Sequence, residues 1–176
     1  MQIDAGMDTG PTLLRREVEI GADETAPELA ARMSVVGAEL IAESLLRFDR
    51  EEISPVPQDA KNVSHAPILK KEDGRIDWNR PAPQIYNRLR GFTPWPGSYS
   101  TFRGQTCHLW GRPETEVVTG EQIAPGEVVS ATKEIHVACG DGTRLLLESI
   151  QIEGRKKITA REFANGARLV PGEKFG

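Results

Sequence analysis

Cysteine is nearly absent from this 176-residue chain, which has only Cys107 and Cys139. Two cysteines give neither a disulfide framework nor a CxxC metal pair. They leave two readings, one bridge or two free thiols, and the rarity of disulfides in the cytosol favours the thiols. Aromatics are also scarce, with three Trp, two Tyr and five Phe, so the core is expected to rest on Leu, Ile, Val and Ala. No run approaches the roughly 20 apolar residues that cross a bilayer. The N-terminal MQIDAGMDTGP has two Asp and no Lys or Arg, unlike the positive start of a secretory signal, so a cytoplasmic protein with no membrane contact is expected. GxGxxG, GxxxxGK[ST] and HExxH are all missing, and His65, His108 and His136 stand apart from one another. No metal site is expected.

What is present is a globular composition, 38% hydrophobic and 27% charged, with a formal net charge of −4. The charge is uneven. Residues 1–73 carry 8 basic and 15 acidic groups, net −7, whereas residues 74–176 carry 14 and 11, net +3. Such asymmetry hints at an anionic partner for the second half.

Local patterns divide the chain. Met1–Asp4 reads as a strand end and Thr12–Ile20 as a second short strand, separated by a turn rich in Gly and Asp. Thr25 and Glu28 form a capping box that opens a helix of about Ala26–Phe48. Its Leu29, Met33, Val36, Leu40, Ile41, Leu45 and Phe48 recur at helical spacing, which predicts packing against a sheet or another helix. Two strands followed by a helix fit the tail of an α/β unit. Pro55 and Pro57 favour an extended linker. A short helix is expected over Ala82–Arg90. Strands then follow at Ser98–Phe102, Thr106–Gly111, Gly126–Ser130, Ile135–Ala138 and Arg144–Ile152, a spacing that predicts a small barrel. Arg103-Gly104 and Asp141-Gly142 mark tight turns. Thr159 and Glu162 form a second capping box, before a helix of about Ala160–Ala167.

Three features could carry chemistry, each with a plainer alternative. Asp4 and Asp8 flank a glycine turn, where short carboxylates bond nearby N–H groups; alternatively one of them faces a cleft at the end of a sheet. Arg155, Lys156 and Lys157, with Arg161 and Arg168 following, form either a solvated face or a phosphate-contacting surface. Trp95 between two prolines is either a structural plug or a base-stacking ring.

Three stretches together resemble the methionyl-tRNA formyltransferase family: Met1-Gln2-Ile3-Asp4-Ala5-Gly6-Met7-Asp8-Thr9-Gly10-Pro11, Lys70-Lys71-Glu72-Asp73-Gly74-Arg75-Ile76-Asp77-Trp78, and Arg90-Gly91-Phe92-Thr93-Pro94-Trp95-Pro96-Gly97. The likeness continues through Ile158-Thr159-Ala160-Arg161-Glu162-Phe163. It implies an α/β fragment, the end of a Rossmann-like formyltransferase domain, followed by a small OB-like β-barrel domain. The implied division is 1–50 catalytic-domain remainder, 51–73 linker and 74–176 tRNA-binding barrel. The implied reaction moves a formyl group from 10-formyltetrahydrofolate to the methionyl amine of initiator tRNA, in an enzyme that is a monomer at full length. The family uses an Asn, a His and an Asp. Only the Asp carries over, onto Asp8, and Arg155, Lys156, Lys157 and Arg161 are the implied tRNA contacts. The family's Asn, His and most folate contacts lie upstream of the position that matches Met1, so the resemblance implies a truncated form, inactive alone. The alternatives are a non-catalytic tRNA-binding module, or a related formyltransferase acting on another amine.

Overall fold

The computed structural model describes residues 1–114 and 123–176. They form two compact units, Met1–Ile68 and Leu69–Gly176.

The first unit is built around α1 (Ala26–Asp49). Thr25 starts it: its N–H and hydroxyl both donate to Glu28 Oε2, at 2.8 and 2.6 Å. The two strands expected before it do not form. Residues 1–25 make a single ladder contact, Thr12 with Val56, because no other extended segment of the unit lies beside them to share backbone bonds. The segment instead runs along α1. Arg16 bridges Glu39 and Glu43, and Arg32 holds Glu24 together with the Glu19 carbonyl. Leu29, Val36 and Leu40 are half-buried, yet Ile41 and Leu45 are each 63% exposed. The expected packing of the whole stripe on a sheet or helix is therefore not found within this unit. The face holding Ala38, Ile41, Ala42 and Leu45 carries no charge before Asp49, the last residue of the helix.

The second unit is a curled antiparallel sheet with two helices, the arrangement of a small OB-like barrel. Its strands are β1 (Tyr99–Phe102), β2 (Gln105–Pro113), β3 (Val128–Ser130), β4 (Ile135–Ala138), β5 (Arg144–Ile152) and β6 (Ile158–Thr159). The path is β1-β2-β5-β4-β3, with β6 pairing the far half of β5. Both tight turns use left-handed residues: φ is 47° and 76° at Arg103-Gly104, and 55° and 67° at Asp141-Gly142. Such dihedrals match the twist of the flanking strands. Helix α2 (Ala82–Gly91) buries Ala82, Ile85 and Leu89, and α3 (Ala160–Ala167) buries Ala160, Phe163 and Ala164.

The C-terminal tail, with no strand expected in it, closes the sheet. Gly172 and Phe175 donate to Val128 and Gly126, and Val128 donates to Glu173. On its other side Gly176 exchanges bonds with Thr101 at 3.0 and 3.1 Å. The tail thus joins the edges β3 and β1. Fully buried Phe175 sits 5.0 Å from the Phe102 ring and 6.1 Å from Trp78, and Phe163 lies 5.4 Å from Phe102. Aromatics are few, but four of them meet here.

Cys107 and Cys139 are buried free thiols. Burial pushes them up to about 11 and about 12, so neither is a thiolate near neutral pH. No helix among the described residues is long and apolar enough to cross a membrane.

Phe175→Ala should cost about 3–5 kcal/mol in urea unfolding, since it removes a fully buried ring at the closure. Val170→Ala, at an exposed site of the same tail, should stay within about 0.5 kcal/mol. Equal losses would mean that the tail does not hold the barrel closed.

Candidate functional site

The loop carrying Asp8 is built by backbone closure. The Gln2 N–H donates to Pro11 O at 2.9 Å, bringing the loop ends together. Gly10 lies so close to the Gln2 carbonyl that an added Cβ would sit 1.8 Å from its oxygen, which is why only glycine fits. The two acidic residues then separate. Asp4 Oδ1 accepts from the Gly6 N–H at 3.1 Å and the Thr9 hydroxyl at 2.6 Å, the plain turn-forming role. The Asp8 backbone is left-handed, φ 55°, and among the described residues its exposed carboxylate has no hydrogen bond or ion pair.

Gln58 holds this loop, and nothing in the sequence pattern singled it out. Its Nε2 donates to Asp8 O and Gly10 O, both at 2.8 Å. Two carbonyl acceptors use the two N–H donors of one primary amide, which also fixes which way the amide points. The double bridge between Thr12 and Val56 brings Gln58 to the loop: each N–H donates to the other's carbonyl, at 2.8 and 2.9 Å. The signal that could have flagged Gln58 is its place just after the rigid Pro55-Val56-Pro57.

The four cations lie in the other unit. Arg155, Lys156 and Lys157 occupy the turn from β5 to β6, which Gly154 enters at φ 79°. The turn is pinned by Arg155 N–H to Ile152 O and by Gln151 Nε2 to Arg155 O, both at 2.9 Å. Arg161 is in the first turn of α3, where a cation opposes the helix dipole. The capping box offsets this, with the Thr159 N–H and hydroxyl both donating to Glu162. All four are exposed, and among the described residues Arg155, Lys156 and Arg161 have no ion pair. Lys157 differs, with its ammonium 3.8 Å from the centroid of the Trp110 ring. Trp95 is 57% exposed, so it plugs nothing. Trp78 is the structural tryptophan, buried with Nε1 donating to Ser100 Oγ at 3.0 Å.

The described residues contain no group of three or more His, Cys, Asp or Glu able to hold a metal ion. A small, partly open cavity of about 10 Å³, lined by Arg75, Ile76, Asp77, Arg88 and others, has room for about one water. The open depression on the first unit is lined by Glu19, Asp23, Glu24, Glu28 and Arg32, and it is predominantly acidic.

The profile of the family described as "Formyl transferase, C-terminal domain" matches residues 68–168. The chain belongs to that family. It is 51% identical over its whole length to the methionyl-tRNA formyltransferase of Solibacter usitatus, covering 55% of that protein. The corresponding proteins of Geobacter metallireducens and Anaeromyxobacter dehalogenans are 45% and 47% identical, over 100% and 96% of the chain and 55% and 54% of themselves. The chain therefore spans about half the length of the curated relatives it matches. Among solved structures, HypX from Aquifex aeolicus aligns with 92% of the chain and 29% of its own, at a TM-score of 0.62 and 20% identity, which is a likeness of fold. A HypX structure in complex with tetrahydrofolic acid aligns over 77% of the chain and 24% of its own, with a TM-score of 0.51 and 20% identity.

Gly10→Ala should break the loop closure and leave the barrel intact. In a two-dimensional amide NMR spectrum, resonances of residues 2–12 and the Gln58 side-chain amide should move, while those of β1–β5 stay put. An unshifted Gln58 amide would show that the clamp does not depend on this close approach.

Proposed function

We propose that this chain is the C-terminal part of a methionyl-tRNA formyltransferase. In this reading residues 1–50 end the catalytic domain, 51–73 are the linker and 74–176 are the tRNA-binding barrel. The observation that carries it is the end-to-end match with proteins of that name, at 51% identity over every residue of the chain. The exposed apolar face of α1 around Ile41 and Leu45 supports the domain assignment, because such a helix covers the sheet of an α/β domain. The folate-bound HypX structure supports a formyl-folate co-substrate, taken here as 10-formyltetrahydrofolate.

The residues present do not fit that co-substrate. The cavity of about 10 Å³ cannot admit a pterin, and the acidic depression would repel the carboxylates of folate. No step is therefore derived through it. What this chain contributes to formyl transfer is a carboxylate and a surface for tRNA. When an amine attacks a formyl carbon, an oxyanion develops and a proton must leave. Asp8, unpaired and displayed on a clamped loop, is suited to orient a neighbouring base and to balance the charge that base acquires. Arg155, Lys156, Lys157 and Arg161 are suited to tRNA phosphates, contacts that position without reading sequence. The enzyme acts in the cytoplasm as a monomer. A second reading, a tRNA-binding module without catalysis, is favoured by the poor fit of folate to the small cavity and to the acidic depression. A formyltransferase acting on another amine is the remaining alternative.

The purified 176-residue chain should give no measurable formylation of methionyl-tRNA, since loss of one oxyanion donor alone costs about 10²–10³ in rate. Robust transfer would refute the fragment reading. The chain should bind initiator and elongator tRNA alike, with a Kd of roughly 10⁻⁴–10⁻⁶ M. Replacing Arg155, Lys156 and Lys157 with Ala should flatten the dependence of log K on log salt by about 0.7–0.9 per lost phosphate contact. Superimposed titrations of the two proteins would place the tRNA surface elsewhere.

A further inference from the structure

The outer face of β1 and β2 carries a row of rings. Tyr99 lies directly opposite His108 in the ladder, with ring centroids 6.1 Å apart. His108 is 6.5 Å from Trp110, two residues along the strand, and Lys157 Nζ lies over Trp110 at 3.8 Å. These positions alternate with the buried Ser100, Cys107 and Leu109, so the rings stand on the side of the sheet away from the core. All three are half-exposed. Among the described residues neither the Tyr99 hydroxyl, the His108 imidazole nor the Trp110 Nε1–H has a hydrogen bond. Gly97 lies against the imidazole, where a Cβ would come within 3.4 Å of Nδ1, so that side of the row stays low.

Cross-strand pairing of rings stabilises a sheet in its own right. Two features here go beyond that. The polar tips are left without partners, and a cation is fixed on the last ring. A free lysine must give up side-chain entropy to hold an anion, and the Trp110 contact has already ordered this one. Arg155 and Lys156, unpaired, sit in the same turn as Lys157. Rings flanked by cations suit a chain with flat bases and regularly spaced negative charges.

We infer that the Tyr99–His108–Trp110 face is a stacking platform for unpaired RNA, with Lys157, held in place by Trp110, as its phosphate anchor. The inference rests on the reading that residues 74–176 bind RNA, and it assigns that unit a preference for single strands.

The test uses the full 176-residue chain with a 12-nucleotide oligouridylate and an RNA duplex of the same length. The wild type should bind the single strand more tightly, with quenching of tryptophan fluorescence. His108→Ala combined with Trp110→Leu should weaken single-strand binding about 10-fold, through the loss of base stacking. Duplex affinity should fall far less, because Lys157 keeps its charge and a duplex offers no unpaired base to stack. Trp110→Tyr should retain most of the affinity, because it keeps a ring beneath Lys157. If the ring variants bind like the wild type while the Arg155/Lys156/Lys157→Ala variant weakens, the platform is wrong and the RNA reading stands. Equal loss for single strand and duplex would mark a merely structural effect and also overturn it. Failure of the wild type to bind either RNA would overturn both.

Discussion

The barrel depends on the way its last five residues are held between two edges that would otherwise be bare. β1 and β3 each end the sheet path, and an open edge exposes a row of unpaired N–H and C=O groups. The tail from Gly172 satisfies both rows at once, and Phe175 drives into the centre against Trp78 and Phe102. Backbone pairing and ring burial are inseparable there, because the same register that bonds Phe175 N–H to Gly126 turns the ring inward. Gly126 must be glycine for this to work: its φ is 86°, and a Cβ would fall 2.3 Å from the Phe175 carbonyl. Arg103 reinforces the closure by reaching Glu173 at 2.7 Å and the end of α3 through Ala167 O.

That closure leaves the outside of β1 and β2 free of structural duty. Residues facing inward along these strands are apolar or small and tightly buried, whereas Tyr99, His108 and Trp110 face out. The Lys157–Trp110 contact then links the outer face to the turn between β5 and β6. The register shifts at the same point: Trp110 pairs with Ser149 and Gly111 with Leu147, which leaves Glu148 of β5 as the extra residue. The first unit shows a comparable division. Gln58, Gly10 and the Thr12–Val56 bridges do the holding, and Asp8 is displayed without being needed for the hold.

Local elements were legible from the residues wherever a short-range signal had a short-range cause. Both capping boxes, at Thr25–Glu28 and Thr159–Glu162, start helices because the bonds they make span only three residues. The limits of β4 and β5 were legible from alternation and from Asp141-Gly142, whose left-handed dihedrals need no distant partner. The Asp8 loop was legible as a motif, and so was the charge of the turn at Arg155–Lys157. Tertiary structure alone decided the rest, because there the deciding partner lies far along the chain. The Thr12–Ile20 segment has a strand's composition but pairs only at Thr12, with Val56, so the rest of it lies along α1 instead. The stripe on α1 has helical periodicity, yet periodicity cannot say what covers a face. Gln58 meets Asp8 across 50 positions, and Phe175 meets Phe102 across 73, distances over which no residue pattern is visible. The contact that orders Lys157 follows from strand register, which only the closed sheet sets.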